Sequence, residues 1–252
     1  MWLYGVVGWL LGILLNWLGD VLPQPSPTPS LPTCPRCGRR RDVLQLSGTL
    51  SYFLGRARCG GCGVRLSIRH VVVEWATAAL FLLLWWRFGL SLSLALVSFY
   101  VLVLILTFIT DVEHRRILNV VLLPAIVIAI IAGRFDPRLG MASSLVGGGV
   151  GFAIFAGLVL LGRALFGRGA LGEGDITLAT FLGLIAGFPQ VLLVVIIAIL
   201  LGGVGGILFL LLRRGDRRSY MPYGPYLILG GLVGLLYGQE IVNWYLYSYL
   251  PA

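Results

Sequence analysis

The sequence predicts an all-α integral membrane protein of about eight transmembrane helices, with one small cytoplasmic loop built on four cysteines. Three observations lead there. Apolar residues make up 58% of the 252 residues, charged residues only 12%, and the mean hydropathy is +0.95; a soluble domain carries about 25% charged residues. Several apolar runs approach or exceed the roughly 20 residues that cross a bilayer. All nineteen basic residues are Arg, and they are unevenly placed. This composition excludes disordered, collagen-like and secreted disulfide-scaffold chains. The absence of Lys excludes Schiff-base chemistry, a Lys general base and a Walker-type P-loop. The net charge of +9 points in a membrane chain to topology rather than to nucleic acid.

The candidate spans are 1–19, 70–88, 91–110, 117–133, 141–162, 175–188, 190–212 and 221–238. The first lacks a basic n-region and a small-residue cleavage site, so it is expected to stay as an anchor. The sixth is short enough to be a half-helix or re-entrant segment. Eight spans put segments 20–69, 111–116, 163–174 and 213–220 on one face, with sixteen Arg, and leave Arg87, Arg134 and Arg138 on the other. Positive charge collects in the cytoplasm. Both termini are therefore expected outside it, with the Arg-rich loops inside. The glycine clusters 147–151 and 202–206 are expected to serve close helix packing. The organisation expected is a first helix (1–19), a Pro-rich linker with a four-Cys loop (20–69) and a polytopic core (70–252).

Within the loop, the proline run at residues 23–32 reads as a stiff, extended spacer. Cys34-Pro-Arg-Cys37 and Cys59-Gly-Gly-Cys62 follow, and they hold every cysteine of the chain. Two such knuckles present four thiolates to one tetrahedral ion, the arrangement of closed structural Zn²⁺ sites. Disulfides are the alternative, disfavoured in a cytoplasmic loop. Gly38, Gly60, Gly61 and Gly63 suit tight knuckle turns. The loop has few apolar residues, so the metal is expected to supply folding energy directly.

Of ten acidic residues, Asp20, Asp42, Asp136, Asp216 and Glu240 read as ordinary loop or tail charges, whereas Glu74, Asp111, Glu113, Glu173 and Asp175 fall in or beside spans, where ionisable groups are costly and mark function. Asp111 closes the third span and Asp175 opens the sixth. Two full crossings separate them, so both are expected at the cytoplasmic face; parity does not say whether they touch. Two carboxylates that do meet cannot both ionise cheaply, and they share one proton. One then activates a water while the other polarises a carbonyl, which is aspartic peptide hydrolysis and needs no cofactor. Gly172 and Gly174 bracket the second motif, where glycine lets chains approach closely. Taken alone, Gly-x-Gly-Asp also describes a turn ending in a helix N-cap Asp. Glu74 reads equally as a contact to donor or substrate and as a buried structural hydrogen bond. Glu113 and Glu173 read as attractors of a cationic peptide or as solvated interface charges. The aromatic residues near the C-terminus, Tyr223 among them, read mainly as a membrane-interface belt.

In order along the chain, Asn16, the two CxxC knuckles, residues 50–56, residues 67–81 with Glu74, Asp111, Gly172-x-Gly174-Asp175 and MPYGPYLILGG (221–231) resemble the prepilin peptidases. These are membrane aspartic proteases of type IV pilus and type II secretion systems. The last segment resembles their Pro-Phe-Gly-Pro-Phe signature. The resemblance implies cleavage of the basic leader of a prepilin or pseudopilin at the cytoplasmic face of a prokaryotic inner membrane. It also implies N-methylation of the new N-terminus with S-adenosylmethionine, and neighbouring pilus or secretion assembly proteins. Leu118 stands where the family often has Pro, Thr177 replaces a frequent Lys, and His70-Val71 replaces Tyr-Pro. Two readings from other classes are an ion-coupled transporter, suggested by membrane carboxylates, and a non-enzymatic zinc-knuckle anchor for a secretion system.

Overall fold

The computed structural model describes residues 1–24, 33–34, 36–166, 172–212 and 223–249. Most of the Pro-rich spacer, Met221-Pro222 and the Arg-rich segment 213–220 lie outside the described residues. Every expected apolar run forms a helix, and the described residues contain no strand beyond two isolated bridges. The chain falls into two compact units, Met1–Thr110 and Asp111–Ala252.

The first unit contains α1 (Trp2–Val21), α2 (Gly48–Phe53), α3 (Arg69–Phe88) and all but the last turn of α4 (Leu92–His114). Helix α1 packs on α3 through glycines spaced about one turn apart. A Cβ on Gly8 would come 2.7 Å from the Phe81 Cβ, and one on Gly12 would come 2.8 Å from the Glu74 Cα. Small residues here let the backbones close up, the usual basis of helix association in lipid. Tyr4 then stacks on Phe81 at 5.1 Å and its hydroxyl pairs with that of Ser98 at 2.6 Å. Asp20, which reads from the sequence as an ordinary loop acid, sits in the last turn of α1. It pairs with Arg69 at 2.6 Å, faces the His70 Nε2 at 3.5 Å and meets Arg41 at 3.8 Å. This cluster joins the base of α1 and α3 to the cysteine loop.

The second unit contains α5 (Asn119–Ala132), α6 (Met141–Phe166), α7 (Glu173–Ala186), α8 (Gln190–Leu212) and α9 (Gly224–Tyr249). Helix α7 lies at its centre and packs against all four others. Gly147 of α6 and Gly183 of α7 meet backbone to backbone. With 14 residues, α7 spans only about 21 Å, short of the roughly 30 Å hydrocarbon core. Its apolar sequence answers to protein, not lipid: Leu178, Phe181, Leu182 and Ile185 are fully buried. Among the described residues, six helices are long and apolar enough to cross a membrane; α5, also 14 residues, is a shorter apolar helix. Helix α9 runs eleven residues beyond the expected end at 238, so Glu240 is helical rather than part of a tail. Asp136 is not an idle loop acid either. It is buried and holds Arg138 at 2.6 Å.

Candidate functional site

Asp111 lies in the last turn of α4, which ends at His114. Arg115 follows in the left-handed region at φ 53°, and its N–H closes onto the Asp111 carbonyl at 2.9 Å. Asp175 is the third residue of α7. The helix cap is Gly172, whose side is extended at φ −76° and ψ 139°, so Asp175 is not an N-cap Asp. Both aspartates are about 95% buried, and both line one cavity of about 300 Å³. Ile117, Asn119, Gly174 and Tyr223 line it with them. The two carboxylates are near enough to interact electrostatically. The Oδ2 of Asp111 is buried and has no hydrogen-bond partner among the described residues.

Two glycines shape this pair. A Cβ on Gly174 would come 2.7 Å from the Ile117 Cβ, and a Cβ on Gly224 would overlap the Asp111 Oδ2. Gly174 thus makes room for a protein side chain, and Gly172 occupies a conformation open to any residue. Gly224→Ala is expected to displace the Asp111 carboxylate and cut turnover by about a hundredfold, since small misplacements at a reacting centre cost that much. An unchanged rate for this variant in a peptide-cleavage assay would contradict the placement.

The other acids do not enter the cavity lining. Glu113 is exposed at the end of α4, and Glu173 forms an exposed ion pair with Arg163. Glu74 is fully buried in the first unit. Its carboxylate accepts from the Ser47 hydroxyl at 3.0 Å and from the backbone N–H groups of Gly48 and Thr49 at 2.6 and 3.0 Å. This anchors the N-terminus of α2 on α3, where Gly48 packs against His70. Glu74→Ala leaves several buried donors unmade, each at about 1–3 kcal/mol. Thermal unfolding of the purified chain should show a loss of about 3 kcal/mol; an unchanged midpoint would contradict this role. Tyr223 is the residue that sequence reasoning misplaced. It lines the cavity instead of serving only a belt, and the sign available was its place one residue before Gly224 in the quoted signature.

The cysteines form the second site. Their four sulfurs lie within 4.8 Å of one another, with Cys34 to Cys62 at 3.5 Å and Cys37 to Cys59 at 3.6 Å. All four are free thiols. Ligands at the usual Zn–S length of about 2.3 Å stand about 3.8 Å apart in a tetrahedron, so the set fits one ion. The two knuckles repeat one turn. Cys34 N–H bonds the Arg39 carbonyl and Cys59 N–H the Val64 carbonyl, at 2.9 and 2.8 Å. Gly38 and Gly63 hold equivalent positions at φ 69° and 70°, which favours glycine. Backbone N–H groups of Gly61 and Cys62 pull the Cys59 thiol down to about 6, and those of Arg36 and Cys37 lower Cys34. Such donors favour the thiolate that a metal needs.

Comparison with known proteins joins these observations. Residues 98–207 match the model of the "Type IV leader peptidase family" and residues 6–88 that of the "Bacterial Peptidase A24 N-terminal domain". The chain is 30% identical to the prepilin leader peptidase/N-methyltransferase of Dichelobacter nodosus, over 87% of this chain and 74% of that protein. It is 28% identical to the protein of the same name from Pseudomonas aeruginosa, over 84% and 73%. The Bacillus subtilis protein of that name is also 28% identical, over 85% and 84%. No solved structure matches the chain. With both aspartates lining one cavity and the relatedness running through both units, the chain belongs to the type IV leader peptidase family.

Proposed function

We propose that this chain is a membrane aspartic endopeptidase that removes the basic leader from prepilins or pseudopilins, with Asp111 and Asp175 as its dyad. The observation that carries the reading is the shared cavity: two buried carboxylates from distant helices face one space. Such a pair holds a single proton. The ionised member takes a proton from water as the water oxygen attacks the scissile carbonyl carbon. The protonated member donates to the carbonyl oxygen. The titration belongs to the pair. Transport and a purely anchoring role gain no support from the relatives.

The chain is a multi-pass protein of the inner membrane, with both termini outside the cytoplasm and the dyad at the cytoplasmic face. That orientation rests on the Arg asymmetry counted over eight crossings, with the 14-residue α5 and α7 taken as short ones. Cys34, Cys37, Cys59 and Cys62 hold one structural Zn²⁺, whose four thiolates leave no open position for catalysis. The relatives' names add N-methyl transfer; the resemblance implies S-adenosylmethionine as donor and the freed N-terminal amine as acceptor. The saturated, buried carboxylate of Glu74 suits an anchor for α2 rather than a ligand for that donor. Pilus and secretion assembly proteins are the expected neighbours, because they consume the trimmed product.

The experiment is incubation of the purified chain with a prepilin in detergent or lipid, followed by mass measurement of the product. The reading expects loss of the leader as one peptide. An intact prepilin under conditions in which a relative cuts it would refute the reading. Labelled S-adenosylmethionine in the same reaction decides methylation: label on the new N-terminus supports it, and unlabelled cleaved pilin refutes it.

A further inference from the structure

Tyr223 immediately precedes α9 and reaches the cavity of Asp111 and Asp175. Contacts from three helices set it there. The next residue, Gly224, lies directly against the Asp111 Oδ2. The Tyr223 ring rests on Gly202 of α8, where a Cβ would stand 2.9 Å from its Cε2, and its centroid is 6.0 Å from that of Phe155 in α6. Its carbonyl accepts from the N–H groups of Tyr226 and Leu227 at 3.1 and 3.3 Å, which fixes the backbone. Asp175 is its electrostatic neighbour. Tyr223 therefore lines one cavity with both carboxylates. Packing against Gly202 and Phe155 needs only a ring, and the signature that this segment resembles carries Phe there. The hydroxyl is an addition that packing does not explain. It belongs to a cavity whose Asp111 oxygen lacks a hydrogen-bond partner among the described residues.

We propose that the Tyr223 hydroxyl is a further catalytic group, one that donates a hydrogen bond to the oxygen of the scissile carbonyl as negative charge builds there. The inference rests on the peptidase reading. In the first step a bond forms from the water oxygen to the carbonyl carbon. The water proton passes to the ionised carboxylate, and the carbonyl oxygen takes a proton from the protonated one. The phenol keeps its own proton throughout; it donates to the same oxygen while negative charge builds ahead of the proton transfer, an interaction that strengthens in the transition state. When the carbon–nitrogen bond breaks, the leaving amine takes the proton held by the dyad, one hydroxyl of the tetrahedral intermediate returns its proton to the ionised carboxylate, and the phenol's hydrogen bond passes to the product carboxyl.

The test is steady-state cleavage of a prepilin by the full chain and its Tyr223→Phe variant in the same lipid. Phe preserves the ring that Gly202 and Phe155 hold, so elution and thermal midpoint should match the parent. The kcat should fall about tenfold or more, less than the ~10²–10³ of a sole oxyanion donor because the protonated carboxyl remains. KM and the pH profile should not move. A kcat equal to the parent's overturns the proposal. So does a loss accompanied by a shifted pH profile, because the hydroxyl would then be tuning the dyad instead of meeting substrate. A parent chain that cuts no prepilin overturns the peptidase reading itself, a result distinguishable from either.

Discussion

Asp111→Asn and Asp175→Asn should each lower prepilin cleavage by about a thousandfold or more while leaving the fold intact. General acid–base groups contribute ~10²–10⁴ each, and a dyad acts as a unit, so either change removes most of the chemistry. An asparagine cannot accept the water proton, and it cannot share one with its partner. Each replacement is nearly isosteric and neutral at a buried position, so it removes a costly buried charge rather than creating one. Stability should hold or rise, and that separates a chemical loss from a folding failure. The measurement is cleavage rate beside thermal unfolding for both variants. A variant that retains a tenth of the parent rate would show that its aspartate does not act as base or acid.

Metal removal should have the second large effect. Purified chain should carry about one Zn per molecule, and Cys37→Ser should lose it. Beyond the Glu74 anchor of α2 and the Asp20–Arg41 pair, the loop between α1 and α3 gathers little burial: Phe53 is 88% exposed and Leu54 52%. Zinc binding in comparable small modules is worth about 10–16 kcal/mol in apparent terms, far beyond what such a loop gathers from burial. Amide exchange at Cys34, Gly38, Cys59 and Gly63, all slowed by the knuckle hydrogen bonds, should become fast in the variant. Cleavage should fall far less than in the aspartate variants, because the cavity belongs to the unit Asp111–Ala252. Native protein free of metal, with its thiols oxidised in pairs, would contradict both the zinc assignment and the cytoplasmic placement of the loop.

Much of this was legible in the chain because the signals are local. Apolar runs mark helices wherever the backbone must satisfy itself in lipid, and each expected run is helical. Paired CxxC spacing brings four sulfurs together because each knuckle is a self-contained turn. Parity could put Asp111 and Asp175 on one face, but only packing joins them in one cavity. What stayed hidden depends on distant partners. Glu74 takes its donors from residues 47–49, twenty-five to twenty-seven positions away, and no spacing rule announces that. Asp20 looked idle until Arg69 and His70 arrived from the next long helix. Helix α7 is as apolar as a span but is buried in protein, and hydropathy does not distinguish those two surroundings. Tyr223 shares its residue type and its place near a helix start with any interfacial tyrosine; only the contacts of Gly224 and Gly202 direct it inward.

The most direct test of the central claim is thiol cross-linking in intact membranes of a chain carrying Asp111→Cys and Asp175→Cys together. The account expects a short bifunctional reagent to join the two positions within one chain, read by mass as the linked peptide pair that carries positions 111 and 175, because the four native thiols also react; neither single variant should give that pair. Efficient labelling of both cysteines without any intramolecular bridge would place the two side chains apart and contradict a shared catalytic site.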